Sequence, residues 1–159
     1  MIATVDGARA AADSTRLGRT LGFMRLLFSV DHALDARSKR MLARFGLTAP
    51  QRLFLRIVGR YPGIAPGEVA SIMEVHPSTL SGVLRRMHSR KWIVREGDAG
   101  DRRRSLMSLT SEGRRIDELR SGTVEEAVRR ALARCAPKDI EATERVLRVV
   151  GAELQREDA

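Results

Sequence analysis

The sequence is short of cysteine, of lysine and of long apolar runs. Its single cysteine, Cys135, excludes an internal disulfide framework and a zinc cluster of several thiolates. No stretch approaches the roughly 18 uncharged apolar residues that a membrane span needs. Residues 1–15 lack the apolar segment of a secretion signal, so we expect a cytoplasmic protein. Because the chain has no nucleophile elbow, phosphate-binding loop or paired-carboxylate motif, we predict that it is not an enzyme.

Arginine dominates the charge of the chain. The 159 residues include 29 Lys and Arg against 20 Asp and Glu, a net charge of +9, and lysine occurs only at Lys39, Lys91 and Lys138. Arginine suits bidentate binding to phosphates and base edges. A basic chain can also dock on anionic lipid or an acidic protein, and a codon bias toward arginine gives the same composition. With 43% hydrophobic residues the chain can bury a core, which excludes wholesale disorder.

Hydrophobic periodicity predicts a mainly α-helical chain with one small β-hairpin. Residues 1–15 show no clear apolar face and are predicted to be a flexible tail. A long helix follows and ends at Gly46, after which Thr48, Pro50 and Gln51 form a typical helix start. The pattern predicts six helices, with the hairpin between the fourth and the fifth, at residues 16–45, 48–61, 66–73, 77–90, 110–135 and 138–155.

Residues 69–83 have the pattern of a helix–turn–helix. This motif needs a small residue where its two helices cross, and Ala70 is available. It also needs apolar residues on both inner faces, which occur at Val69, Met73, Val75, Leu80 and Val83. Glu74 departs from the general pattern, because that pattern often has glycine in the turn and a positive φ would cost glutamate on the order of 1 kcal/mol. An ordinary helical hairpin with chance spacing is the alternative.

The outward face of the second helix of this motif is polar and basic. At about 100° per residue, with Leu80 and Met87 inward, the opposite line consists of Ser78, Gly82, Arg85 and Ser89, flanked by Ser81 and Arg86. Short polar side chains and arginine fit a DNA major groove. Gly82 either lets the backbone approach DNA or is a tolerated surface glycine. Pro77 at the first helical position would leave the next amides free for a phosphate.

The predicted hairpin carries a second basic cluster, Asp101-Arg102-Arg103-Arg104, beside a glycine-containing turn. A hairpin wing can insert an arginine into a narrow minor groove, where the negative potential is enhanced. Residues 76–104 contain eight basic and three acidic residues, so a net +5 of the chain's +9 lies in this short stretch. The charge is therefore concentrated where the groove-reading elements are predicted.

Together these motifs resemble the MarR (multiple antibiotic resistance regulator) family. The motif region covers residues 47–113, and the matching segments are Leu47-Thr48, Pro77–Ser81, Asp98–Arg103 and Leu109–Gly113. The resemblance implies a winged helix–turn–helix homodimer, usually a repressor, that binds near-palindromic DNA. Lys91 and Trp92 depart from the family pattern, which usually has glycine and leucine at these positions. These departures put the join between helix and strand in doubt.

The resemblance also implies a role for each region. These regions are a flexible N-terminal tail (1–15), a dimerisation helix (16–46), a winged helix–turn–helix DNA-binding lobe (47–110) and C-terminal dimerisation helices (111–159). By analogy Arg102 enters the minor groove at the wing tip, while Asp101 and Arg103 hold the shape of the wing and meet the DNA backbone. The candidate DNA-binding residues are then Ser78, Thr79, Ser81, Gly82, Arg85, Arg86, Ser89, Asp101, Arg102, Arg103 and Arg104.

Relatives in this family commonly bind small anionic or phenolic compounds between the dimer helices and the DNA-binding lobe. A ligand that favours the wrong spacing of the two recognition helices would weaken DNA binding. Phe28, His32 and Phe54 are candidates for such a site by position alone. Asp31 and Asp35 share a helix face with His32 close by, but they lack a thiolate or a second histidine, so we predict no metal and no other cofactor.

The role of Cys135 and the specificity of DNA binding each leave an alternative open. Cys135 is expected to be a buried small hydrophobic residue, with an oxidation sensor as the alternative. A non-specific basic architectural or RNA-binding protein is the alternative function. Such a protein would bind an operator and scrambled DNA equally well.

Overall fold

The computed structural model describes residues 3–97 and 105–156, with side chains from residue 17 onwards. The chain divides into two compact units, Met1–Glu118 and Leu119–Ala159. Within the described ranges, no helix combines the length and the apolarity that crossing a membrane would require. The first unit contains α1 (Ala3–Phe45), α2 (Ala49–Arg60), α3 (Pro66–Ile72), α4 (Pro77–Ser89), β1 (Ile93–Gly97), β2 (Ser105–Leu109) and α5 (Ser111–Asp117). The second unit contains α6 (Val124–Leu132) and α7 (Pro137–Leu154).

The first unit is built on one hydrophobic core. Helices α2, α3 and α4 contribute residues at helical spacing, β1 contributes Ile93, and β2 contributes the alternate residues Met107 and Leu109. Burying each of these large side chains contributes about 1.5–3 kcal/mol. The fully buried members are Leu47, Phe54, Leu55, Val58, Val69, Met87 and Met107. Leu53 of α2 is half exposed, because it lies on the side of the helix opposite the residues that enter the core.

The two strands form an antiparallel hairpin that is fixed at its base. Ile93 pairs with Leu109 and Gly97 with Ser105. The amide of Met107 donates to the carbonyl of Ile64 at 3.0 Å, and the amide of Gly63 donates to the carbonyl of Met107 at 2.8 Å. The loop between α2 and α3 therefore holds the root of the hairpin against the helical part of the unit.

The predicted flexible tail is wrong, because α1 already begins at Ala3. Four of the residues 8–12 are alanine, the residue with the highest helix propensity, so this segment is helical without a clear apolar face. The helix is interrupted at Gly18, where φ is 73° and ψ is 170°. It ends as predicted before Gly46, whose φ of 73° is typical of a helix terminus.

The single helix predicted over residues 110–135 is also wrong, because the structure has two helices, α5 and α6. Gly122 between them has a φ of 77°. The Thr123 side chain accepts a hydrogen bond from the Glu126 amide, and the Glu126 carboxylate accepts one from the Gly122 amide at 2.8 Å. This arrangement starts a new helix, and the Thr-x-x-Glu spacing that predicts it is present in the sequence.

Cys135 is exposed, so the prediction of a buried side chain is wrong. It lies after the last residue of α6, in the turn that leads to α7, and its Sγ contacts the carbonyl oxygen of Ala131 at 3.5 Å. The prediction assumed that the helix continues to this position with its apolar side turned inward. Neither α6 nor α7 has a buried residue.

Candidate nucleic-acid interface

Helices α3 and α4 form the predicted helix–turn–helix. Val69, Ala70 and Leu80 are buried between the helices, as the pattern required. The turn closes through the Val75 amide, which donates to the Ala70 carbonyl at 3.1 Å. Glu74 has a φ of 53°, so this chain adopts the left-handed turn with glutamate where glycine is common.

The N-terminus of α4 is capped by a histidine. His76 Nδ1 accepts a hydrogen bond from the Ser78 amide at 3.2 Å and lies 2.7 Å from the Ser78 hydroxyl. Pro77 occupies the first helical position, as predicted. The expectation that the amides after Pro77 are free for a phosphate is wrong for Ser78 and Thr79, because the Ser78 amide donates to the His76 ring and the Thr79 amide donates to the His76 carbonyl at 3.0 Å.

The outward face of α4 is open to solvent. The seven candidate residues on this helix are all exposed, namely Ser78, Thr79, Ser81, Gly82, Arg85, Arg86 and Ser89. A Cβ added at Gly82 would have no atom within 4 Å among the described residues. The face carries no carboxylate, since residues 77–89 contain neither Asp nor Glu. The face is therefore basic, and its serines and glycine leave room for close approach to a duplex.

The hydroxyl groups and the guanidinium groups of this face differ in availability. The Ser81 hydroxyl donates to the Pro77 carbonyl and the Ser89 hydroxyl donates to the Arg86 carbonyl, both at 3.0 Å. These serines keep free lone pairs but have used their protons within the helix. Among residues 17–97 and 105–156, the guanidinium groups of Arg85 and Arg86 have no hydrogen-bond or ion-pair partner. The arginines are thus the charged donors of α4 that remain available to DNA.

The join between α4 and the hairpin accommodates both departures from the family pattern. Lys91 has a φ of 57°, so lysine adopts the left-handed conformation at the position where glycine is usual. Trp92 is buried. The Thr110 hydroxyl donates to the Lys91 carbonyl at 2.7 Å, and the Thr110 amide donates to the Trp92 carbonyl at 3.1 Å. The fold therefore accommodates Lys91 and Trp92 at this join.

The tip of the hairpin lies outside the described residues. Asp101, Arg102, Arg103 and Arg104, predicted as the wing-tip cluster, therefore stay a prediction. The strands that lead to the tip are described, and the Arg95 Nε donates to the Ser105 hydroxyl across the hairpin at 3.0 Å.

The three candidate effector residues occupy different environments. Phe54 is fully buried in the core of the first unit, so in this conformation it has no surface for a ligand. Phe28 is 66% exposed and His32 is also exposed, both on α1. The Asp35 carboxylate is paired with Lys39 at 2.8 Å, and this hydrogen bond raises the pKa of Lys39. Within the described residues there is no group of three His, Cys, Asp or Glu that could hold a metal.

Sequence reasoning missed a buried arginine. Arg52 on α2 is 1% exposed, and its guanidinium group donates to the carbonyls of Ile116 and Asp117 at the end of α5. Arg56, one turn later, donates to the Asp117 carboxylate at 2.9 Å. The cations sit where the α5 dipole places partial negative charge. Periodicity could have placed Arg52 on the inner face of α2, but its partners are more than 60 positions away.

Comparison with known proteins agrees with this geometry. The MarR family model matches residues 45–104. The HTH-type transcriptional repressor Rv2887 of Mycobacterium tuberculosis is 27% identical over 128 residues, which are 80% of this chain and 92% of that protein. The S. aureus MepR–DNA complex has a TM-score of 0.69 at 22% identity, covering 84% of this chain and 98% of that one. The PcaV regulator of Streptomyces coelicolor, solved with its natural ligand, has a TM-score of 0.66 at 22% identity, covering 86% and 94%.

Proposed function

We propose that the chain is a winged helix–turn–helix transcription regulator of the MarR family, which acts as a homodimeric repressor on a near-palindromic operator. Members of this family bind DNA and are not enzymes. The observation that carries the proposal is the exposed, acid-free face of α4, with two arginine side chains that have no partner among the described residues. Arg85 would read bases in the major groove, where a bidentate pair with guanine gives about 1–3 kcal/mol of discrimination.

The proposed homodimer rests on apolar side chains that a single chain leaves exposed. On α1 these are Leu17, Leu21, Met24 and Phe28, at spacings of three and four. On α6 and α7 they include Val128, Leu132, Val146, Leu147, Val149 and Leu154. Contiguous apolar surfaces of this kind are typical of protein interfaces. Two-fold pairing would place the two α4 helices about one helical turn of DNA apart, roughly 34 Å.

The wing would supply the second contact with each half-site. Arg102 is proposed to enter the minor groove, with Asp101 and Arg103 shaping the tip and Arg104 adding positive charge. The support is the basic sequence at the tip together with the fixed root of the hairpin at Ile64 and Met107. Backbone hydrogen bonds at the base of a hairpin limit the orientations that the hairpin can take relative to the rest of the DNA-binding lobe.

We further propose that a small anionic or phenolic molecule modulates DNA binding. The support is a structural relative solved with its natural ligand. A ligand can weaken DNA binding only if it binds more tightly to the dimer whose recognition helices have the wrong spacing for DNA than to the dimer with the correct spacing. Phe28 and His32 are accessible on α1, whereas Phe54 would have to leave the core before it could line such a site.

Selection from a pool of random duplexes tests the repressor hypothesis. The selected duplex and a scrambled duplex of the same composition are then compared at one physiological salt concentration, because affinity for DNA depends strongly on salt. A regulator should prefer the selected duplex by roughly 10³-fold or more. We expect the recovered sites to be inverted repeats, and the free protein to sediment as a dimer. Equal affinities would favour the non-specific architectural or RNA-binding alternative.

A further inference from the structure

Arg90 has surroundings unlike those of the other arginines of α4. Its guanidinium carbon lies 5.0 Å from the centre of the Trp92 ring, over its face. It also approaches Gly46, where a Cβ would lie 2.6 Å from Nη1 and 3.5 Å from the guanidinium carbon. The group therefore fills the space that a side chain at residue 46 would occupy.

This contact joins three elements at one point. Gly46 follows the last residue of α1, Arg90 follows the last residue of α4, and Trp92 precedes β1. The backbone at Trp92 is itself fixed, because its amide donates to the Met87 carbonyl at 3.0 Å and its carbonyl accepts from the Thr110 amide. Arg90 thus ties the end of the proposed recognition helix to the end of the long first helix.

The position of Arg90 also turns it away from the proposed DNA face. At about 100° per residue, Arg85 lies roughly 150° from the middle of the buried side of α4, whereas Arg90 lies roughly 70° from it. By charge and sequence position Arg90 belongs with Arg85 and Arg86. By its contacts it differs from them, because its exposed side chain lies over the Trp92 ring and against Gly46.

We propose that Arg90 is a positioning residue for DNA recognition, which sets the orientation of α4 relative to α1 through Trp92 and Gly46 and makes no phosphate contact of its own. The inference rests on the proposed function, since it concerns how that function is achieved. Arginine suits this role because a planar guanidinium group can stack on an indole with one face and pack against backbone with the other.

The chain offers a direct spectroscopic test, because Trp92 is its single tryptophan. In the DNA-free, full-length protein, Arg90→Ala should change the intensity and wavelength of tryptophan emission, whereas Arg85→Ala should leave them unchanged. Both substitutions remove one positive charge from α4, so Arg85→Ala is the matched control. Unchanged emission in Arg90→Ala would show that the stack is absent and would overturn the proposal.

The salt dependence of DNA binding then separates positioning from contact. Each phosphate contact that is lost lowers the slope of log K against log salt by about 0.9. Arg90→Ala should weaken binding to a selected duplex at least tenfold with an unchanged slope. Trp92→Leu should do the same, and the double variant should bind no more weakly than the weaker single variant, since both remove one contact. Substitution of an arginine on α4 that contacts a phosphate would instead lower the slope of log K against log salt.

Three results would overturn the proposal. The first is a salt-dependence slope that falls by about 0.9 in Arg90→Ala, and the second is an affinity of Arg90→Ala for the selected duplex within twofold of wild type. The third is global unfolding of both the Arg90→Ala and the Trp92→Leu variants, which would assign the pair to stability alone. If the wild-type protein prefers no duplex, it is the proposed function that fails. The emission of the DNA-free protein then still decides whether Arg90 holds Trp92.

Discussion

Gly113 is the position where the structure tolerates a side chain least. It lies in the first turn of α5, and a Cβ added there would overlap the Trp92 carbonyl oxygen and lie 2.9 Å from the carbonyl carbon. The neighbour is backbone, so no side-chain rotation can relieve the overlap. To reach ordinary contact at about 3.5 Å, the two backbones must separate by roughly 1.5 Å.

Gly113→Ala should therefore destabilise the protein by about 2 kcal/mol or more. Overpacking of this kind costs about 1–3 kcal/mol. The separation also stretches the 3.1 Å hydrogen bond from the Thr110 amide to the Trp92 carbonyl, worth about 0.5–1.5 kcal/mol. Against this, alanine gains up to about 1 kcal/mol over glycine in a helix. The steric loss exceeds the gain in helix propensity.

Gly82→Ala is the matched control, because a Cβ at that helical position meets no atom within 4 Å among the described residues. It should stabilise the protein by about 0.5–1 kcal/mol. Urea unfolding followed by circular dichroism measures both variants, at one protein concentration because the stability of a dimer depends on it. If Gly113→Ala proves as stable as wild type, or gains as much as Gly82→Ala, the packing argument fails.

Three further substitutions test the proposed interface and the buried cluster. Arg102→Ala should weaken binding to a selected operator duplex in a fluorescence anisotropy titration without lowering the unfolding midpoint; normal binding would remove the wing from the interface. Arg85→Ala should reduce discrimination between selected and single-mismatch duplexes by about 1–3 kcal/mol at one position, more than it lowers affinity for scrambled DNA; an unchanged preference would exclude base reading by this residue. Arg52→Ala should lower the free energy of unfolding by about 3 kcal/mol, because it empties a buried site and leaves the Ile116 and Asp117 carbonyls without this donor. A loss under about 0.5 kcal/mol, which is typical of surface substitutions, would show that water replaces the guanidinium group at little cost.

The helix–turn–helix was predictable because its requirements are local. A small residue at the crossing and apolar residues at helical spacing lie within 15 consecutive positions, and the structure confirms the burial of Val69, Ala70 and Leu80. The open polar face of α4 followed from the same spacing, since residues opposite a buried stripe are exposed. The positive φ of Glu74 was not predictable, because the sequence is also compatible with a modified turn, and only the structure shows the left-handed conformation.

The errors arose where a local pattern had two interpretations. Alanine-rich residues before Gly18 have no apolar face, which is equally consistent with a tail and with a helix that has little to bury. The stretch 110–135 has apolar residues at helical spacing throughout, but capping by Thr123 and Glu126 divides it into two helices. Capping signals thus outweighed the periodicity, and they were visible in the sequence.

The order of the elements as far as the hairpin, the boundaries of α3 and α4 and the basic surface of α4 were determined by sequence alone, because each depends on residues within a few turns of one another. The tertiary structure alone decided what each arginine contacts. Arg85, Arg52 and Arg90 are the same residue type, yet the first is unpaired among the described residues, the second is buried at the end of α5 and the third is held between Trp92 and Gly46. A guanidinium group has both a flat face and five donors, so its role is fixed by the neighbours that the fold brings from distant parts of the chain.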